Sequence, residues 1–135
     1  MIVADTSALL AFYTTEEHRH GEVVDAVHAA DAILLSPYVV AELDYLIASR
    51  HGVETEIVVL RDLFSDAYAH VPLTVDEMRA AADLIDRYRD QEIGITDASL
   101  VVLADRFGTH DILTLDRRRF DVLRPLDGGR FNVVP

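Results

Sequence analysis

Four carboxylates in this chain stand where ordinary surface acids do not. Asp5 follows the apolar run Ile2-Val3-Ala4 without a break, and Asp116 follows Ile112-Leu113-Thr114-Leu115 in the same way. Glu42 has Val39, Leu43 and Leu46 at helical offsets of −3, +1 and +4, which predicts that it lies inside the apolar face of its own helix. Asp97 heads a stripe made with Leu100, Val101 and Ala104. Each has a plainer reading alone. Asp5 can cap a helix, Glu42 can pair with an Arg, Asp97 can favour a helix dipole, and Asp116 can be a turn residue. Other acids, Asp83, Asp86 and Asp90 among them, fit a solvated helix face. Together the four put two acids at strand ends and two on inward helix faces. Converging carboxylates repel, and the repulsion raises some of their pKa values. A hard divalent ion removes the conflict, and oxygen-only ligation suits Mg²⁺ or Mn²⁺. Such a centre polarises a phosphoryl group and activates water.

The rest of the composition leaves room for that chemistry and little else. The chain has 135 residues, no cysteine and no lysine; all 12 basic residues are arginine. A thiol nucleophile, a disulfide framework and a Cys-built zinc site are excluded. A Walker A loop, a Schiff base, a Ser–Lys nucleophile and a Lys-dependent receiver domain go with the lysines. Net charge is −12, unevenly spread. Residues 1–90 carry 6 Arg and 17 acids, and residues 91–135 carry 6 Arg and 7 acids. The longest apolar run, Ala8 to Tyr13, is far short of a membrane span. The first basic residue is Arg19, so no signal-peptide n-region is expected, and the expected location is cytoplasmic.

The elements that must position the acids follow from periodicity. Ile2–Ala4, Ile33–Leu35, Val71–Leu73, Ile112–Leu115 and Phe131–Val134 are predicted strands, the last at an edge. Helices are predicted from Ser7, from a Thr15 cap, over Tyr38–Arg50 up to His51-Gly52, and over Glu54–Ser65. Thr74-Val75-Asp76-Glu77 matches a capping box, Thr96 can cap a helix ending at Gly108, and Arg117–Phe120 forms a basic turn. Strands alternating with helices mean an α/β domain, read as one unit over 1–135, with a parallel sheet and helices on both faces. In such folds the crevice lies at the carboxyl ends of the strands, where Asp5 and Asp116 are placed.

The same residues resemble a known family. Asp5-Thr6-Ser7-Ala8-Leu9-Leu10-Ala11 is similar to the opening of PIN-domain proteins. Glu42-Leu43 after Ser36-Pro37, Thr96-Asp97-Ala98-Ser99-Leu100-Val101 and Thr114-Leu115-Asp116-Arg117-Arg118-Arg119-Phe120 resemble its second, third and fourth acidic positions. In order, spacing and length the chain resembles the VapC toxins of bacterial VapBC pairs, from Met1 to about Pro125. The resemblance implies a PIN-like three-layer sandwich around a mostly parallel sheet of four to five strands. It further implies a Mg²⁺-dependent endoribonuclease, usually dimeric, held inactive by a VapB antitoxin. Asp5, Glu42, Asp97 and Asp116 would be its catalytic and metal-binding quartet, with Ser7 and Thr114 as supporting hydroxyls. Arg117, Arg118 and Arg119 follow the fourth acid and are candidates for RNA phosphate binding, for antitoxin contact, or for a merely solvated turn.

Two rival readings remain at this point. An Asp5-nucleophile phosphatase of the haloacid dehalogenase type would want an Asp at position 7 and a downstream Lys, where this chain has Ser7 and no lysine. A catalytically silent PIN module that binds protein or RNA would not need an intact quartet. His18 and His20 are two residues apart on an expected helix and point away from each other, so they make no metal pair.

Overall fold

In the computed structural model, which describes residues 1–135, every strand runs parallel to its neighbours. The chain runs β1 (Ile2–Ala4), α1 (Thr6–Tyr13), α2 (His20–Ala29), β2 (Ile33–Leu35), α3 (Pro37–Leu63) and β3 (Ala69–His70). It continues through α4 (Val75–Arg87), a 3-10 turn (Arg89–Gln91), α5 (Ile95–Phe107), β4 (Asp111–Leu113), α6 (Arg117–Val122) and β5 (Asn132–Val134). The five-stranded order is β3-β2-β1-β4-β5, with Val3 paired to Leu34 on one side and to Ile112 on the other.

This order fixes where the helices go. The chain steps one way from β1 to β3, then returns past β1 to β4 and β5. Parallel crossovers are right-handed, so the reversal puts α1 to α3 on one face and α4 to α6 on the other. The packing agrees: α1 lies against α2 and α3, and α4 against α5. Buried on both faces, β1 and β2 are uniformly apolar, and 31 buried hydrophobic residues form one core around them. The strand order reverses between β1 and β4, so a crevice opens at their carboxyl ends.

Several expected boundaries move, each for a local reason. Helix α1 starts at Thr6 rather than Ser7 because Asp5 is the N-cap. Thr15 caps nothing: the amides of Glu17 and His20 are spent on short turns, and α2 begins only at His20. The strand expected at Val71–Leu73 is Ala69–His70; Val71 still donates to Leu35, but Pro72 has no N–H with which to continue the ladder. Gly94, not Thr96, caps α5. The break at Gly52 is where the sequence put it. Its φ of +83° and ψ of 175° split α3 into two helical halves, a backbone state nearly restricted to glycine. The capping box at Thr74 and Glu77 is present in full.

Candidate metal-dependent active site

Asp5 is built into the fold before it does anything else. Its side chain accepts from the Thr6 amide at 2.8 Å, from the Ser7 hydroxyl at 2.8 Å and from the Thr114 hydroxyl at 2.7 Å. Each hydroxyl has one proton, and both protons point at the same Asp5 oxygen, Oδ2. Their oxygens are then free to accept backbone amides: Leu115 donates to Ser7 at 3.0 Å, and Asp116 donates to Thr114 at 3.0 Å. The turn after β4 is therefore fastened to the turn after β1 through two hydroxyls. Ser7 and Thr114 thus orient Asp5 and fix the main chain that carries Asp116.

Asp116 caps α6, accepting from the Arg119 amide at 3.1 Å. Asp97 sits in the first turn of α5, 16% exposed at its side chain. Glu42 lies in the second turn of α3, and here the structure corrects the sequence. Glu42 is exposed rather than inside the apolar face. Val39 and Leu43 are fully buried, but Leu46 is only half-buried, so the apolar face ends short of Glu42 and leaves it at the rim. A buried hydrogen bond of 2.8 Å between Ser36, the N-cap of α3, and Ser99 of α5 joins the helices that carry Glu42 and Asp97. Ser36-Pro37 reads in the sequence as a strand stop; nothing there marks Ser99 as its partner.

All four acids line one open cavity of about 430 Å³, together with Ser7, Thr96 and Arg119. The Arg119 guanidinium donates to Asp97 and lies 3.5 Å from Asp116. The basic run therefore divides by role. Arg119 is in the cavity, Arg118 lines the cavity beside it, and Arg117 lines neither, reaching the Pro135 carbonyl at 3.4 Å. Sequence reasoning missed the pairing of Arg119 with Asp97, because three consecutive arginines look alike until α6 rotates them apart.

Electrostatics record the convergence. Burial is the main reason that the Asp5 carboxyl titrates above its ordinary range; the Ser7 and Thr114 hydroxyls oppose it and the Asp97 charge adds to it. Asp97 is also raised, chiefly by burial, with Glu42 and Asp116 adding to the shift and Arg119 pulling it down. Arg119 is raised in turn, mainly by its bond to Asp97. No three acidic or histidine side chains stand close enough to form a ready-made ion cage, and Arg119 bridges Asp97 and Asp116 instead. The donor set still fits a hard divalent ion: it is oxygen-only, faces one cavity and carries four carboxylates against the single charge of Arg119.

A raised carboxyl pKa has a definite sign for stability. The folded state holds the Asp5 proton to higher pH than the unfolded chain does. The penalty is absent below the ordinary value of 3.8 and grows to its full size as pH rises through the folded value. Asp5→Asn sets an NH2 donor against the Ser7 and Thr114 hydroxyls and so costs stability in EDTA, but the cost should be largest near pH 3.8 and shrink as pH rises through the folded value, where the parent bears its buried charge. With Mg²⁺ the parent should gain and the variant should not. Thermal melts across pH, with and without the ion, check both statements.

Comparison with known proteins fits this geometry. Residues 2–124 match the PIN domain family model. The chain is 51% identical to Ribonuclease VapC26 of Mycobacterium tuberculosis, over 99% of this chain and 100% of that one. Its fold matches the crystal structure of Mycobacterium tuberculosis VapC20, a sarcin-ricin loop cleaving toxin, with a TM-score of 0.80 at 20% identity over 87% of this chain and 91% of that one. It also matches a toxin–antitoxin complex from Klebsiella pneumoniae, with a TM-score of 0.68 at 15% identity over 100% of this chain and 97% of that one. A buried acid tied to two strand ends, three more acids around it and this likeness along the whole chain agree: the protein belongs to the PIN-domain family, among its VapC ribonucleases.

Proposed function

We propose that residues 1–135 act as one Mg²⁺-dependent endoribonuclease domain that cuts single-stranded regions of RNA, with Mn²⁺ able to replace Mg²⁺. The observation that carries this reading is the convergence of Asp5, Glu42, Asp97 and Asp116, from four separate elements, on one cavity that also holds Arg119. The acids would hold one or two divalent ions. Bound there, an ion supplies Lewis acidity for the attack of water on a phosphodiester. The P–O bond to water forms as the P–O bond to the leaving ribose oxygen breaks.

The chain's own residues do the rest. Asp5 is 6% exposed and holds three donors, so it serves as a fixed anchor. The same three donors speak against the phosphatase rival, whose nucleophile must be free to attack. Glu42 at the rim is free to close on an ion. Arg119, released from Asp97, is placed to meet phosphate charge. The less acidic C-terminal third, residues 91–135, supplies the face from which RNA approaches a chain of net charge −12.

In the cell this reading places the protein in the cytoplasm, as a homodimer silenced by a VapB-type antitoxin. Support comes from α3 and its C-cap, where Tyr45, Val53 and Val58 on the helix and Phe64 just after it are each more than half exposed and offer apolar surface to a protein partner. No helix is long and apolar enough to cross a membrane. The test is RNA cleavage by the purified chain with millimolar Mg²⁺, with Mn²⁺ and with EDTA, beside thermal melts in the same buffers. Cleavage should require the ion. Binding to the folded state alone adds about 2.7 kcal/mol of stability at a hundredfold excess over Kd. Cleavage that persists in EDTA, with identical melting midpoints, sinks the metal centre.

A further inference from the structure

A second cavity of about 440 Å³ adjoins the carboxylate cavity and shares Asp116 and Arg119 with it. Its remaining wall has a different chemistry. Ile93 and Leu123 are buried and Val122 is partly exposed, giving an apolar floor. Gln91 and Arg118 are exposed at its edge. Asp116, at the shared wall, is the only acid lining it. Between Gln91 and Ile93 stands Glu92 with φ of +51°, the one non-glycine residue in the chain with positive φ. That left-handed residue turns the chain so that the residues on both sides of it line one cavity.

From this juxtaposition we infer that the second cavity is a nucleotide subsite, holding the base next to the scissile phosphate, and that Gln91 reads that base. The inference rests on the nuclease reading of the neighbouring carboxylates. A strand with its phosphate at Arg119 must place an adjacent nucleotide on one side of Asp116, and this cavity is open there. Single-stranded RNA is read by splaying a base onto apolar or guanidinium surface and hydrogen-bonding its edge. Ile93, Val122 and Leu123 supply the surface. The Gln91 amide offers a donor and an acceptor side by side, as an edge of a base requires. Arg118 carries charge to the next phosphate, a contact that positions without discriminating.

The test separates this inference from the reading it rests on. Binding of labelled short single-stranded RNAs, varied at each position, is measured with Mg²⁺ in the Asp97→Asn background, which removes the charge that holds Arg119 and leaves the RNA uncut. Arg118→Ala should weaken all sequences alike by several-fold. Gln91→Leu should weaken one base at one position by about tenfold and spare the others. Thermal melts check that both variants fold, as exposed positions allow. The same RNAs are then incubated with Mg²⁺ and the cut ends sequenced, with Asp97→Asn as the inactive reference. Selective binding without cutting overturns the nuclease reading and leaves the subsite. Cutting with the parent's base preference intact in Gln91→Leu overturns the subsite alone. It is overturned too if both variants bind RNA as the parent does while losing affinity for a protein inhibitor, which would make the cavity a protein contact.

Discussion

Asp97→Asn should lower RNA cleavage by more than about a hundredfold, the range that loss of even an outer-shell metal partner reaches, and leave a folded protein. The substitution keeps shape and removes charge. Asp97 caps nothing, since Gly94 begins α5, so the helix start does not depend on its carboxylate. The helix is held from behind by Ala98, Leu100, Val101 and Leu103, all fully buried. Arg119 loses one partner and keeps Asp116. Melting the variant with and without Mg²⁺ beside an RNA assay separates two roles. A residue needed for the ion gives a folded, silent protein with a blunted response to Mg²⁺. A residue that only anchors Arg119 gives a less stable protein that still cuts RNA below its melting point, and that result would remove Asp97 from the site.

Arg119→Ala should move metal-free stability and metal affinity in opposite directions. Without an ion, the guanidinium is the cation closest to the four acids. Deleting it leaves Asp97 partly buried and unpaired, a loss of about 1–2 kcal/mol once its own exposure to solvent is allowed for. Its backbone stays in place, because the Arg119 amide still donates to Asp116 and the neighbouring Phe120 is buried in the core. An incoming divalent ion then has no resident charge to displace, and its Kd should tighten by about tenfold. Titrating Mg²⁺ against the melting temperature of parent and variant reads both effects on one axis. Equal affinities would show that the guanidinium yields to the ion at no cost.

Much of this was legible from the chain alone, and what escaped has a common cause. Strands β1, β2 and β4 are short apolar runs bounded by polar residues, so periodicity marked them, and the acids after β1 and β4 could be placed with no knowledge of packing. Gly52 and the Thr74 box are local signals, and local signals survive folding. Glu42 shows the limit: the spacing of Val39 and Leu43 finds the buried face, but how far that face extends depends on what packs against Leu46, which no helical offset records. The division of labour among Arg117, Arg118 and Arg119 is likewise set by the angle at which α6 leaves Asp116. The Ser36–Ser99 bond joins residues 63 positions apart, and neither residue alone carries a sign of it.

The position of β1 in the sheet has a consequence for synthesis. Strand β1 is made before its neighbours yet lies at the centre of the sheet; Thr6 and Ser7 can bond Asp5 at once, but its second hydroxyl donor, Thr114, lies 109 positions later. Contacts of such range close slowly, because the loop entropy must be overcome before any bond repays it. As the chain leaves the ribosome, β1, β2 and β3 can pair early, but Asp5 has only the Ser7 half of its hydroxyl clamp, and no fourth acid, until Thr114 and Asp116 emerge. A product that stops before Thr114 is therefore expected to be inactive, however much of the sheet it keeps, and a nuclease made among RNA completes its carboxylate cavity only once Asp116 has been added.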